Sequence, residues 1–135
     1  MEQIPLFEDR PVAVQLIGGI VVPMLFGLLT GFALAWNEVA YLVLVGPVGI
    51  IGGLLAGTEH SGADEGFVRG LIGGLVFSSF ILLGLEITGE EPTAELPDPQ
   101  VGLVFFITLI SGGLGALGGA YRARFERRRE GRAAG

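Results

Sequence analysis

The sequence contains no cysteine and no lysine, and its one histidine is His60. Without cysteine there is no disulfide framework, no thiolate nucleophile and no thiolate metal site. Charged residues are also sparse, at 16% of the chain against roughly 25% in ordinary globular proteins. In their place the chain is 50% hydrophobic and contains 24 glycines among 135 residues. This balance predicts a membrane protein.

Four long apolar runs lie at about residues 12–36, 39–57, 67–88 and 101–121. Each is close to the roughly 20 residues that a helix needs to cross a bilayer core. The runs do not alternate polar and apolar residues, and they are about twice as long as a barrel strand, which excludes a strand interpretation. Pro23 and Pro47 fall inside runs, where a neighbouring helix or a local kink accommodates them. We therefore predict one all-α, polytopic membrane domain, ending in a basic cytoplasmic tail at 122–135.

The basic residues are all arginines, and under a four-span topology they all lie on one side of the membrane. They are Arg10, Arg69, Arg122, Arg124, Arg127, Arg128, Arg129 and Arg132. By the positive-inside rule, this predicts a multi-pass protein of the cell membrane with both termini in the cytoplasm. The acidic start MEQIPLFEDR, without a cleavage motif, predicts that the first span is retained rather than removed as a signal peptide.

The opposite side receives only acidic charge, from Glu38 and from the loop EITGEEPTAELPDPQ. Together with the absence of lysine, this indicates either a high-salt environment or a genome rich in arginine codons.

The starts of the first and third spans resemble each other, as LIGGIVVPMLFGLLTG and LIGGLVFSSFILLGLEITG. The sequence therefore predicts two helical hairpins in tandem, which form a parallel repeat. Glycines recur at every fourth position, which is the G-x-x-x-G or glycine-zipper pattern that lets membrane helices pack closely. The predicted packing residues are Gly27, Gly31, Gly49, Gly53, Gly57, Gly62, Gly66, Gly70, Gly74, Gly115 and Gly119. Whether they join helices of one chain or of neighbouring subunits is left open by the pattern.

The order GIIGGLLAGTEHSGADEGFVRGLIGGLV, followed near the end by GGLGALGGAYRARFERR, resembles a family of small glycine-rich archaeal membrane proteins of unknown function. The match covers about a third of the chain. The resemblance implies a four-span fold and a haloarchaeal or related source, and it brings no activity, cofactor or catalytic residue.

The segment TEHSGADEGFVRG, residues 58–70, places the histidine among carboxylates. A catalytic zinc site normally has three protein ligands and more than one histidine, so we predict no metal and no cofactor here. The pattern favours a capped cytoplasmic corner in which Ser61 caps the third helix and Asp64 and Glu65 lie at its positive N-terminus. Glu65 would pair with Arg69 one turn later.

Catalytic patterns such as G-x-S-x-G and the phosphate-binding G-x-x-x-x-G-K-S/T are missing from the sequence, so we predict neither an enzyme nor catalytic residues. The sequence favours a non-catalytic structural, scaffold or accessory membrane subunit. The alternative is a small homo-oligomeric channel or carrier for an ion or small solute. The expected partners are the lipid bilayer and either a second copy or another membrane protein.

The C-terminal segment YRARFERRREGRAAG is predicted to anchor the topology at the membrane surface rather than to bind nucleic acid. The residues expected at the lipid head groups are Arg122, Arg124, Arg127, Arg128 and Arg129.

Overall fold

A computed structural model describes residues 6–134 of the chain. Within these residues the protein is all-helical, and four helices are long and apolar enough to cross a membrane. The helices are α1 (Val12–Trp36), α2 (Glu38–Gly57), α3 (Ala63–Thr88) and α4 (Gly102–Ala134). A short 3-10 turn, Phe7–Asp9, precedes α1. The prediction of an all-α, multi-pass membrane fold is confirmed.

The two ends of the bundle differ in charge. We call the end with the Phe7–Asp9 turn, the corner at residues 58–62 and the last turns of α4 the basic end. The acidic end carries the tight turn at Asn37 and the loop at residues 89–101. Asn37 caps α2, because its Oδ1 accepts the N–H groups of Val39 and Ala40 at 2.8 and 3.2 Å.

The acidic loop folds back over its end of the bundle instead of extending away from it. Both the amide and the hydroxyl of Thr93 donate to the carbonyl of Leu34, at 2.8 and 2.6 Å. Ala94 and Leu96 pack against the buried side chains below. The last turn of α1 thereby gains partners for a carbonyl that the helix leaves unpaired.

Helix α3 begins at Ala63, four residues before the predicted span, and its N-terminal cap is Gly62 rather than Ser61. The Ser61 hydroxyl donates instead to the Glu65 side chain at 3.2 Å. Helix α4 continues unbroken to Ala134, so the basic tail is helical. The prediction that Ser61 caps α3 is wrong, because the serine comes one residue too early to reach the first free N–H groups.

Packing at the acidic end relies on side chains. The Phe26 and Phe77 rings stack with centroids 4.9 Å apart. The buried apolar residues, all in this half of the bundle, are Ala33, Leu34, Tyr41, Phe77, Ile81, Leu85, Leu103 and Ile107.

Packing at the basic end relies on bare backbone. A Cβ added at Gly66 would overlap the carbonyl of Gly115, and one added at Gly70 would overlap the carbonyl of Ser111. Helices α3 and α4 therefore touch at a distance that only glycine permits. The Gly115 carbonyl would also be overlapped by a Cβ at Gly57, so α2, α3 and α4 meet at this point.

The remaining predicted packing glycines extend these contacts. On α1, Gly27 and Gly31 lie against the α3 backbone at Phe77 and Ile81. The other placements are Gly74 against Ser111, Gly53 against the Leu114 side chain and Gly119 against the Gly62 backbone. All of these contacts lie within one chain.

Some glycines do not follow the sequence pattern. The backbone of Gly62 lies against Gly119, but an added Cβ at Gly62 would meet nothing within 4 Å, because Gly62 is the extended cap residue before α3. The prediction that Gly62 belongs to the close-packed glycine face is therefore wrong. Nothing on another helix lies near Gly49, which lines a cavity described below. Gly84 lies outside the four-residue series, yet a Cβ there would lie 2.8 Å from the Leu28 carbonyl and 3.3 Å from Gly31. It is therefore a contact of α3 with α1, because helices pack through rows of residues from both partners and not through one spacing alone.

Helix α2 crosses the face formed by the other three helices. Its first part, Glu38–Val43, packs on α1 next to the turn, whereas its last part, Gly49–Gly57, packs on α4 and α3. Within the described chain, the basic-end halves of α1 and α2 do not pack closely on each other. The first hairpin is therefore open, while the second hairpin, α3 with α4, is the most extensive contact in the molecule.

We expect Gly70→Leu to lower stability by about 1–3 kcal/mol, because the leucine would force the α3 and α4 backbones apart. The melting temperature in detergent measures this loss. Gly113→Leu is the matched control, since Gly113 lies on α4, the partner helix of this contact, but has no atom within 4 Å of an added Cβ. Equal melting temperatures for the two variants would contradict the close contact.

Candidate functional site

A cavity of about 1140 Å³ lies under α2, between it and the other three helices. Glu38 and Glu95 line it at the acidic end, and Glu59 and Arg69 line it at the basic end. The cavity therefore runs along most of the bundle. It exists because α2 crosses the bundle instead of lying in the groove between its neighbours.

Arg69 turns into this cavity rather than toward Glu65. Its Nη2 donates to the carbonyl of Gly18 on α1 at 2.8 Å, and its Nη1 lies beside Gly73, where an added Cβ would be 2.8 Å away. The guanidinium thus points further along α3, away from the basic end. The predicted pairing with Glu65 is wrong, because the bare backbone at Gly73 and the acceptor at Gly18 offer the side chain an inward route.

The Gly18 carbonyl is available because α1 is irregular at this point. In a regular helix it would accept the N–H of Val22, but Val22 donates to Ile17 within a π-helical turn, Ile17–Val21. The next residue, Pro23, has no N–H to offer. Arg69 therefore supplies the donor that the helix cannot, which matters where no water reaches the backbone.

The N-terminal turn lies beside Arg69 and the corner at the basic end of the cavity, and we call it the floor. The Phe7 ring lies with its centroid 5.4 Å from the Arg69 guanidinium carbon and 5.4 Å from the His60 ring centroid. The Phe7 amide donates to the Glu59 carbonyl at 2.8 Å, and Arg10 forms an ion pair with the Glu59 side chain at 3.1 Å. The guanidinium is thereby covered on the side that faces the basic end.

The electrostatics of the cavity favour an anion at one end only. Among the described residues that line it, Arg69 is the one cation, and the Glu59 beside it is already paired with Arg10. The Arg69 Nε is buried and has no hydrogen-bond partner among residues 6–134. A guanidinium with unused donors binds carboxylates and phosphates through two parallel hydrogen bonds.

The other predicted site residues divide between the corner and the tail. Asp64 and Glu65 occupy the exposed first turn of α3. Arg122 is only 8% exposed, and it donates to the Thr58 carbonyl at 2.8 Å and to Glu126 at 2.9 Å. It therefore caps the C-terminus of α2, and its side chain is buried in the protein instead of being exposed to lipid head groups as predicted. The exposed arginines of the tail are Arg124, Arg127, Arg128, Arg129 and Arg132.

Sequence reasoning missed both the cavity and the inward direction of Arg69. Two signals were present: Pro23 leaves carbonyls on α1 without donors, and Arg69 is flanked at four-residue distance by Gly73. Neither signal identifies its partner without the relative positions of α1 and α3. No group of three or more His, Asp or Glu side chains that could hold a metal ion occurs in the described part of the chain.

Burial lowers the pKa of His60 below its ordinary value of 6.5, and the charge of Arg69 lowers it further, against the opposing effect of Glu65, Glu59 and Glu8. The unfolded chain therefore gains this proton at a higher pH than the folded protein does. We expect the protein to lose stability as the pH falls through 6.5, because protonation then favours the unfolded state.

The measurement is the melting temperature in detergent as a function of pH, for the wild type and for His60→Gln. Other titrating groups are common to both proteins, so the difference between the two curves isolates the imidazole. The variant should give the flatter profile. Parallel curves would mean that folding does not change the proton affinity of His60.

Comparison with protein-family models, with curated proteins and with solved structures finds no match to this chain. The resemblance to small archaeal four-span proteins stays a prediction. The function is therefore inferred from the cavity and the residues that line it.

Proposed function

We propose that this chain is a non-catalytic binding protein or carrier of the membrane, which holds an anionic ligand in the cavity beneath α2. The observation that supports this most strongly is the inward guanidinium of Arg69, with its buried and unpartnered Nε. The sequence alone gives a channel or carrier as the alternative to a structural subunit. The cavity and its single cation favour it over a purely structural role.

The inward direction of the Arg69 side chain needs an explanation. Arg69 is the seventh residue of α3, so its guanidinium could extend toward water at the basic end, yet it turns inward to the Gly18 carbonyl. Ionisable side chains that face the interior of a membrane bundle usually mark binding or transport sites. The Gly18 carbonyl accepts one hydrogen bond from the guanidinium, and the Phe7 ring lies near it, but neither group carries a negative charge. The Gly18 carbonyl needs only a neutral N–H donor, which leaves the positive charge to be explained by an anion.

We further propose that the binding unit is the four-helix monomer. The close glycine contacts on α1, α3 and α4 are made within the chain, so they give no reason for a second copy. The cavity is lined by all four helices of one chain. A ligand could therefore contact all four helices without a subunit interface.

The proposed location is the cell membrane, with the basic end in the cytoplasm, as the arginine distribution indicates. A protease added to intact cells should cut only near residues 89–101 and leave a C-terminal tag in place. Removal of the tag by external protease would show that the orientation is the opposite of the one proposed.

Binding of an anion should stabilise the folded protein. We use octanoate as the probe and octanol as its uncharged counterpart, since both partition into detergent but only octanoate can pair with a guanidinium. At a concentration about 100 times its Kd, octanoate should stabilise the wild type by roughly 2.7 kcal/mol. The expected result is a higher melting temperature with octanoate than with octanol.

Arg69→Gln should abolish the difference between octanoate and octanol, while Arg124→Gln, which removes an exposed charge at the same end, should leave it intact. Gly46→Leu provides an independent test that keeps the guanidinium: Gly46 lines the cavity and an added Cβ there meets nothing within 4 Å, so a leucine side chain should take up part of the space for the ligand. Its control is Gly113→Leu. If neither Arg69→Gln nor Gly46→Leu alters the octanoate effect, the proposed function is wrong.

A further inference from the structure

We propose that the ligand of the cavity is a bilayer lipid with a single oxyanion head group, bound with its head at Arg69 and its hydrocarbon chain under α2. This inference rests on the proposed function and deepens it by naming the class of ligand. Four features support it: the lining of the cavity, its side opening, the floor beside Arg69 and the asymmetric charge.

The lining is suited to a hydrocarbon chain. Between Arg69 and the acidic end, the walls include Val22, Phe26, Leu103 and Ile107. At about 1140 Å³, the cavity exceeds the roughly 300–1,000 Å³ that is usual for drug-sized ligands. A small hydrophilic anion would leave most of this apolar surface without contacts, whereas a lipid chain would fill it.

The access to Arg69 lies on the side that faces lipid. The basic-end halves of α1 and α2 do not pack closely on each other within residues 6–134, and Gly18 and Gly52 line the cavity on either side of this gap. Both helices are otherwise covered with exposed apolar side chains. A molecule already dissolved in the bilayer could therefore enter sideways, with its chain remaining in an apolar environment.

The route from water at the basic end is covered. The Phe7 ring lies over the Arg69 guanidinium, and the Phe7 amide is bonded to the corner at Glu59. A soluble anion would have to displace this floor before it reached the cation. A lipid that enters from the side would not.

The charges of the cavity give the ligand a direction. Arg69 lies at one end, and the carboxylates of Glu38 and Glu95 lie at the other. An anionic head is attracted to the guanidinium and repelled from the acidic end, so the chain points toward Glu38. The same carboxylates oppose the passage of a free anion along the whole cavity, which argues against an anion channel.

The test uses phosphatidic acid as the lipid probe and diacylglycerol, which has the same chains without the phosphate, as its neutral match. The protein is extracted from phosphatidylcholine vesicles that contain equal minor amounts of both, and native mass spectrometry measures the lipid that stays bound. The wild type should retain phosphatidic acid in preference to diacylglycerol. Arg69→Gln should reduce that retention by about tenfold or more, as expected for the loss of a charge-assisted pair.

The exposed arginines of α4 could also attract anionic lipids, so Arg124→Gln serves as the control and should retain phosphatidic acid normally. Should Arg69→Gln fail to fold, Gly46→Leu tests the same cavity with Arg69 present, and Gly113→Leu is its control. If Gly46→Leu loses the lipid and Gly113→Leu keeps it, binding inside the cavity is supported.

Equal retention of phosphatidic acid and diacylglycerol would overturn the inference, as would retention that survives both Arg69→Gln and Gly46→Leu. Inorganic phosphate is the last probe, and it separates the lipid inference from the proposed anion site. If it or octanoate stabilises the protein through Arg69 while no lipid is retained, the lipid inference fails and the proposed anion site stands. If inorganic phosphate, octanoate and phosphatidic acid all fail to bind, both the lipid inference and the proposed anion site are wrong.

Discussion

The contact between the α3 and α4 backbones at Gly66, Gly70 and Gly115 determines how the rest of the chain is arranged. Lipid offers no hydrophobic driving force for helices to associate, so they must gain van der Waals contact, and bare backbones give the closest approach. Gly57 brings the end of α2 to the same point. With its basic-end half held there and its other half held by the turn at Asn37, α2 has to cross the bundle, and the cavity beneath it follows.

The unpaired backbone carbonyl is the second constraint. In a bilayer every carbonyl needs a donor from the protein, and two arginines provide one where a helix does not. Arg122 donates to Thr58 at the end of α2, and Arg69 donates to Gly18 beside the π-helical turn of α1. The first arginine is also paired with Glu126. The second retains an unpartnered Nε, and this difference separates a structural arginine from a candidate binding residue.

Much of the fold could be predicted from the sequence, because apolar runs near the length of a bilayer crossing have few alternatives. The bounds of α1 were predicted from its apolar run alone, and the glycine spacing pointed to surfaces that the structure places between helices. The direction of Arg69 could not be predicted in this way. Its spacing from Glu65 fits an ordinary helical pair, and the competing acceptor at Gly18 is distant in sequence. The cavity could not be predicted either, because residue spacing indicates where helices make contact and not where they leave a gap.

The floor of the cavity has a mechanical property that the four spans lack. It is a short turn near one end of the chain, held to the corner at Glu59 by a backbone hydrogen bond and an ion pair, and to α1 by Gln15, which donates to the carbonyls of Glu8 and Arg10. Terminal segments of this kind open locally at a smaller free energy than global unfolding requires. The base of the cavity can therefore be uncovered while the glycine contacts between α3 and α4 stay intact. Exposure of the site to water and stability of the bundle are thus governed by separate parts of the chain.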